Sequence, residues 1–324
     1  MKQLLPRILP TSTITCCLIA LLLSVVSCRK ENALVPSDED ENYFVVKDNP
    51  NDPVDHAIYE FYNATGIAGF CNDTIHRKHV GNNEGQPKYT YITLSLSYTF
   101  YSKQSINFKP VSNKSRIPAL LHLLKQEFLP GLPENFQIPS LFFVDSIWTL
   151  HPEQNIDIAD GWTSFHGFNT VAISVKDVEA MNADEQRMYL SSLLAGLAER
   201  RLKRDAYQHL SRDFFSISRT AAKAMTSTDI YSGTPFVLLG IYTVPPAQNL
   251  GFMKYFKNAF AIWMGMPDPV APPGESEDLR AFLTAAFYYT PQEFESINAG
   301  KTLILKKFNA IRDIALNAGF RLPG

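Results

Sequence analysis

Between Asn182 and Asp205 the chain reads NADEQRMYLSSLLAGLAERRLKRD. Leu190, Leu193, Leu194, Leu197 and Ala198 recur at i, i+3, i+4, i+7 and i+8, which places them on one broad face of an α-helix. Asn182 followed by Glu185 three residues later is a capping-box pattern and sets the start. Arg200, Arg201, Lys203 and Arg204 fall in the last turns, where cations interact favourably with the negative end of the helix dipole. Gly196 costs about 1 kcal/mol relative to alanine inside a helix, so a close neighbour is expected there. A helix this long and this apolar on one side runs through a core, and the rest of the chain has to cover it.

The other elements follow from period and punctuation. Ile92, Leu94, Leu96, Tyr98 and Phe100 alternate with Thr93, Ser95, Ser97 and Thr99, which predicts a half-buried strand over 89–101. SLFFVDSIWTL (140–150) and FNTVAISVK (168–176) read as two more strands. A short helix is expected over Asp55–Tyr62 with Asp55 as its cap, and another over Ile117–Phe128 that PGLP stops. Phe252, Phe256 and Phe260 share helical spacing, which predicts an aromatic-rich core helix to Trp263. Helices near Glu277–Tyr289 and Lys301–Asn317 complete the chain, while 71–88 reads as a polar loop. The order gives an α+β fold, with a mixed sheet early and a mostly helical C-terminal half.

The N-terminus sets the compartment. Lys2 and Arg7 precede an apolar run from Ile14 to Val26, shorter than the roughly 20 residues a spanning helix needs. Charge, apolar core and small residue make residues 1–27 a secretory signal peptide. SVVSC resembles a bacterial lipoprotein signal, in which Cys28 is acylated and begins the mature chain; an ordinary cleaved signal is the alternative. Residues 28–50, RKENALVPSDEDENY onward, are acid-rich and read as a tether. With no repeat and no second linker, residues 51–324 count as one domain. Of four cysteines, Cys16 and Cys17 leave with the signal and Cys28 is acylated, so Cys71 has no disulfide partner. Removing Lys2 and Arg7 from a net charge of −2 leaves −4, which argues against a nucleic-acid partner.

Several segments together resemble the zinc metallohydrolase lipoproteins of Bacteroidota that accompany TonB-linked substrate-import systems. They are DHAIYEFYNATGI, the 89–101 strand, RIPALLHLLKQEFLPGL, SLFFVDSI, SEDLRAFLTAAFYYTPQEFESI and GKTLILKKFNAIRDIALNAGFRL. The resemblance runs from about Asp55 to the end and implies a zincin-like fold, an outer-membrane location facing the periplasm or the cell surface, and a central helix bearing H-E-x-x-H. Two histidines at i and i+4 would bind zinc and the glutamate would handle the proton of the attacking water. Here Leu194 and Ala198 stand where the histidines belong, Ala195 stands for the glutamate, and Ala281 occupies an acidic position of the later helix. No H-E-x-x-H occurs in the chain. The expectation is an inactive scaffold with no catalytic residues, no metal and no cofactor.

Three functions stay open. An accessory binding protein of a TonB-dependent transporter would take a glycan or peptide ligand. A hydrolase with a rearranged metal site would need Glu199, His209, Glu277 and Asp278 to converge near Leu194. A purely structural envelope lipoprotein would need neither. Cys71, His76 and His79 have zinc-compatible spacing but sit in a basic polar stretch, and His56, His122, His151 and His166 show no ligand spacing.

Overall fold

The computed structural model describes residues 42–96, 105–150, 162–266 and 268–324. The signal peptide, Cys28, most of the tether, Tyr98, Phe100 and His151 lie outside the described residues. Helix α1 is Pro53–Thr65, longer than its apolar spacing suggests. Its cap is Asp52 and not Asp55, because Pro53 presets the first helical turn and the Asp52 carboxylate accepts from the Val54 and Asp55 amides. Gly66 closes the helix at φ 73°, a left-handed position that favours glycine.

After β1 (Gly69–Phe70) the chain forms a hairpin, β2 (Thr74–Asn83) with β3 (Gln86–Thr93), where a polar loop is expected from sequence. Glu84 and Gly85 both have positive φ, 50° and 82°, as a two-residue hairpin turn of the right hand requires. Two register shifts and the lack of any buried β2 side chain remove the alternation that would mark it as a strand. Strand β4 (Ser105–Pro110) follows, then α2 (Ile117–Leu123), which continues through a π-turn at Leu124–Phe128 and a tight turn at Leu129–Gly131.

Strand β5 (Leu141–Leu150) is the spine of a five-stranded mixed sheet. Its first residues lie between β1 and β7 (Val171–Ser174), parallel to both, and its second half pairs antiparallel with β4. Strand β6 (Ser164–His166) closes the far edge against β7. Leu141, Phe143, Val171 and Ile173 face the main core, whereas Phe142, Val144, Ile147 and Ala172 face a second cluster with Leu94 and Leu96. Burial on both faces explains the near-continuous apolar runs of β5 and β7.

Helix α3 (Ala183–Asp205) crosses the main core behind β6, and both halves of its capping box are formed. A turn at Tyr207–His209, a π-turn at Leu210–Phe215 and α4 (Ser216–Ala222) follow. The aromatic segment is not one helix. Phe252 is buried after a turn, Phe256–Lys257 form β8, and only Ala259–Trp263 are helical, α5. Asn258 starts that helix by accepting from the Ala261 amide, so Phe260 faces outward, contrary to the core position its spacing suggests. Strand β9 (Val270–Ala271) pairs with β8, and α6 (Glu275–Tyr288), α7 (Pro291–Ile297) and α8 (Thr302–Asn317) finish the chain. The fold is α+β with a mixed sheet. Among the described residues no helix is long and apolar enough to cross a membrane.

Candidate functional site

The face of α3 that carries Leu194, Ala195 and Ala198 is core. Leu194 is 8% exposed, Ala195 1% and Ala198 0%. The backbone of Gly131 closes over Leu194, so that a Cβ at Gly131 would lie 3.3 Å from Leu194 Cδ1. Gly196 is explained by β6. A Cβ there would fall 2.1 Å from Ser164 Oγ and 2.8 Å from Ser164 O, and the hydroxyl of Ser164 donates to the Leu193 carbonyl at 2.8 Å. The strand therefore lies directly on the helix, and glycine is the residue that lets it.

One turn further on, Glu199 is buried at 7% exposure and its carboxylate is claimed by cations. Arg280 of α6 donates its Nε–H to Glu199, donates from Nη1 to the Ser164 carbonyl at 2.9 Å, and stacks 3.9 Å above the Trp162 ring. Lys203 lies 3.4 Å from the same carboxylate and donates to Ser276 Oγ at 2.6 Å. Burial opposes ionisation of Glu199, but Arg280 and Lys203 outweigh it and hold the carboxyl below its ordinary value. The neighbouring half-buried Glu277 moves the other way, pushed up by burial and by the charge of Glu199.

Asp278 does not join them. It faces a second buried cluster, where Lys307 of α8 donates to Asp278, to Ser218 Oγ at 3.0 Å and to Tyr231 OH at 3.1 Å. Tyr231 in turn donates to Asp278 at 2.7 Å. All three N–H groups of the ammonium are used, and the rings of Phe214, Phe282 and Phe252 surround it at 4.4, 4.8 and 5.0 Å. Burial raises the Asp278 carboxyl and lowers the Lys307 amine. Ala281 sits half-buried on α6.

The remaining candidates are scattered. His209 is exposed and accepts from Arg212 at 3.1 Å or pairs with Asp213. His56 pairs with Asp48, His122 with Gln126, and half-buried His166 with the Gly167 carbonyl. His76 lies against Tyr43 and His79 against Asn82, three residues apart on a strand where such side chains point to opposite faces. Burial pushes the Cys71 thiol up to about 11, so it stays protonated at neutral pH. Among the described residues no three His, Cys, Asp or Glu side chains are placed to hold a metal ion. The α3 face therefore does not fit zinc: its three key positions carry hydrocarbon, and the Glu199 carboxylate one turn on is already paired with two cations.

An open cleft of about 870 Å³ lies beyond the C-terminal end of α3. Arg201 and Asp205 of α3, Arg212 and Asp213 of the π-turn, and Lys306 and Asp313 of α8 line it. The π-turn gave no signal in the sequence, since its apolar positions fit an ordinary helix equally well. His209 also lines it, but no Phe, Tyr or Trp does. No family model matches the chain, and neither the curated proteins nor the solved structures give a match.

Proposed function

We propose that the chain is a membrane-anchored lipoprotein of the outer membrane whose zincin-like scaffold has lost its metal site, serving as an accessory binding protein of a TonB-linked nutrient-import system. The observation that carries the loss of the site is the packing of Leu194, Ala195 and Ala198 into the core, with Gly131 pressed onto Leu194. Zinc needs at least three good ligands in a preformed site, and restoring them here would mean opening a packed interior. The hydrolase alternative requires free carboxylates near Leu194. Glu199 is held by Arg280 and Lys203, and Asp278 by Lys307.

Binding is the better reading than a bare structural role because the cleft beyond α3 is of a size that small ligands use. Its lining favours a peptide over a glycan. Sugar recognition draws on exposed Phe, Tyr and Trp rings for stacking, and none of these lines the cleft, whereas both signs of charge do. Lys306 and Asp313 stand two turns apart on α8, about 10 Å along the axis. An extended tripeptide spans about the same length and carries one charge of each sign at its ends.

Calorimetric titration with pooled tripeptides and with oligosaccharides separates the readings. The expected outcome is peptide binding that Lys306→Ala and Asp313→Ala each weaken about tenfold, the scale of one charged hydrogen bond. Oligosaccharide binding indifferent to both substitutions contradicts the peptide assignment, and no binding by either pool favours the structural role.

A further inference from the structure

Helix α5 turns its large side chains outward. Trp263 is 80% exposed, Ile262 53%, Met264 45% and Phe260 36%, and Ala261 alone packs inward at 1%. A soluble surface has no reason to gather these four in five residues, because each leaves apolar area in water. Nor is the segment a loose loop. Strands β8 and β9 pair at its base, the Asn258 amide donates to the Pro269 carbonyl at 2.8 Å, and Asn258 Oδ1 caps the helix at Ala261. The tip is thus held out on a fixed stalk. Exposed Lys254 and Lys257 flank it on one leg and exposed Asp268 on the other.

We infer that this tip enters the interfacial layer of the membrane that holds the lipid anchor; the inference rests on the reading of Cys28 as acylated. Trp and Phe with aliphatic neighbours and adjacent lysines are what the boundary between headgroups and acyl chains accommodates. Size argues for lipid over protein. Four side chains at these exposures offer on the order of 400 Å², given that a large ring buries 150–250 Å². A specific protein interface needs about 800 Å² per partner. A bilayer needs no matched surface, and the anchor already keeps the domain near. Asn42 is fourteen residue steps from Cys28, a path of at most about 50 Å. The second contact would fix which face of the domain looks toward the membrane, leaving the cleft's orientation no longer free.

The test uses the full acylated chain in vesicles of mixed zwitterionic and anionic phospholipid whose acyl chains carry bromine, a short-range quencher of tryptophan. The expected result is co-flotation with the vesicles and loss of most of the Trp263 emission, assigned by its disappearance in Trp263→Phe; Trp148 and Trp162 stay unquenched. Co-flotation with Trp263 emission unchanged overturns the inference and leaves the anchor reading standing. Failure of the chain to float overturns the anchor reading and this inference with it. A blue shift of Trp263 that appears without lipid and grows with protein concentration overturns it differently, by assigning the tip to a second copy.

Discussion

At Gly196 two rules oppose each other. Helix propensity favours alanine by about 1 kcal/mol, but the backbone of Ser164 occupies the space a methyl would need. Gly196→Ala is therefore expected to lower stability by about 1–3 kcal/mol in chemical denaturation, the range for overpacking. Adding Ser164→Gly should recover only part, since the carbonyl remains 2.8 Å away after the hydroxyl is gone. Glu199 gives a second test at this scale. Its folded carboxyl lies below the ordinary 4.5, so its contribution is fully present above that value and is lost as pH falls through the lower folded one. Glu199→Gln leaves Arg280 half-enclosed without its counter-charge and is expected to be less stable at neutral pH. The gap to the parent protein should narrow as pH falls below the ordinary carboxyl range and close as the parent's own Glu199 takes up its proton. A gap that stays constant with pH would deny Glu199 its ionised, paired state.

Among the elements, helix α6 works as a hub. It contributes Arg280 to the Glu199 cluster on α3 and Asp278 to the Lys307 cluster on α8. Removing one member of a buried pair costs about 3–5 kcal/mol, while replacing both with apolar residues is often neutral. Asp278→Ala should therefore destabilise strongly in urea, and the double change Asp278→Leu with Lys307→Met should recover most of the loss. If the double variant is as unstable as the single one, the cluster acts through more than charge pairing. The elements also show what a sequence exposes and what it hides. Helix α3 was legible because its cap and apolar face are local, within a few residues of each other. The β2–β3 hairpin was not, since bulges break its alternation and none of its β2 side chains is buried. The 252–263 stretch misleads because aromatics four apart suit a helix on paper, while Asn258 restarts the chain midway. The two charge clusters join residues 81 and 29 positions apart, and no local pattern records such pairings.

Over the whole molecule, packing fills the middle of α3 and open space lies at its C-terminal end. On α3, Leu194, Ala195 and Ala198 all lie inside the core. Of the nearby acids, Glu199 and Asp278 each pair with a cation and burial pushes Glu277 toward its neutral form, while an open cleft lies at the C-terminal end of the helix. The proposed binding role therefore rests on that cleft and not on the Leu194 face. The measurement that tests this most directly is the zinc content of the purified chain after exposure to zinc and removal of the excess. The account predicts far less than one zinc per chain. One tightly held zinc per chain would contradict it.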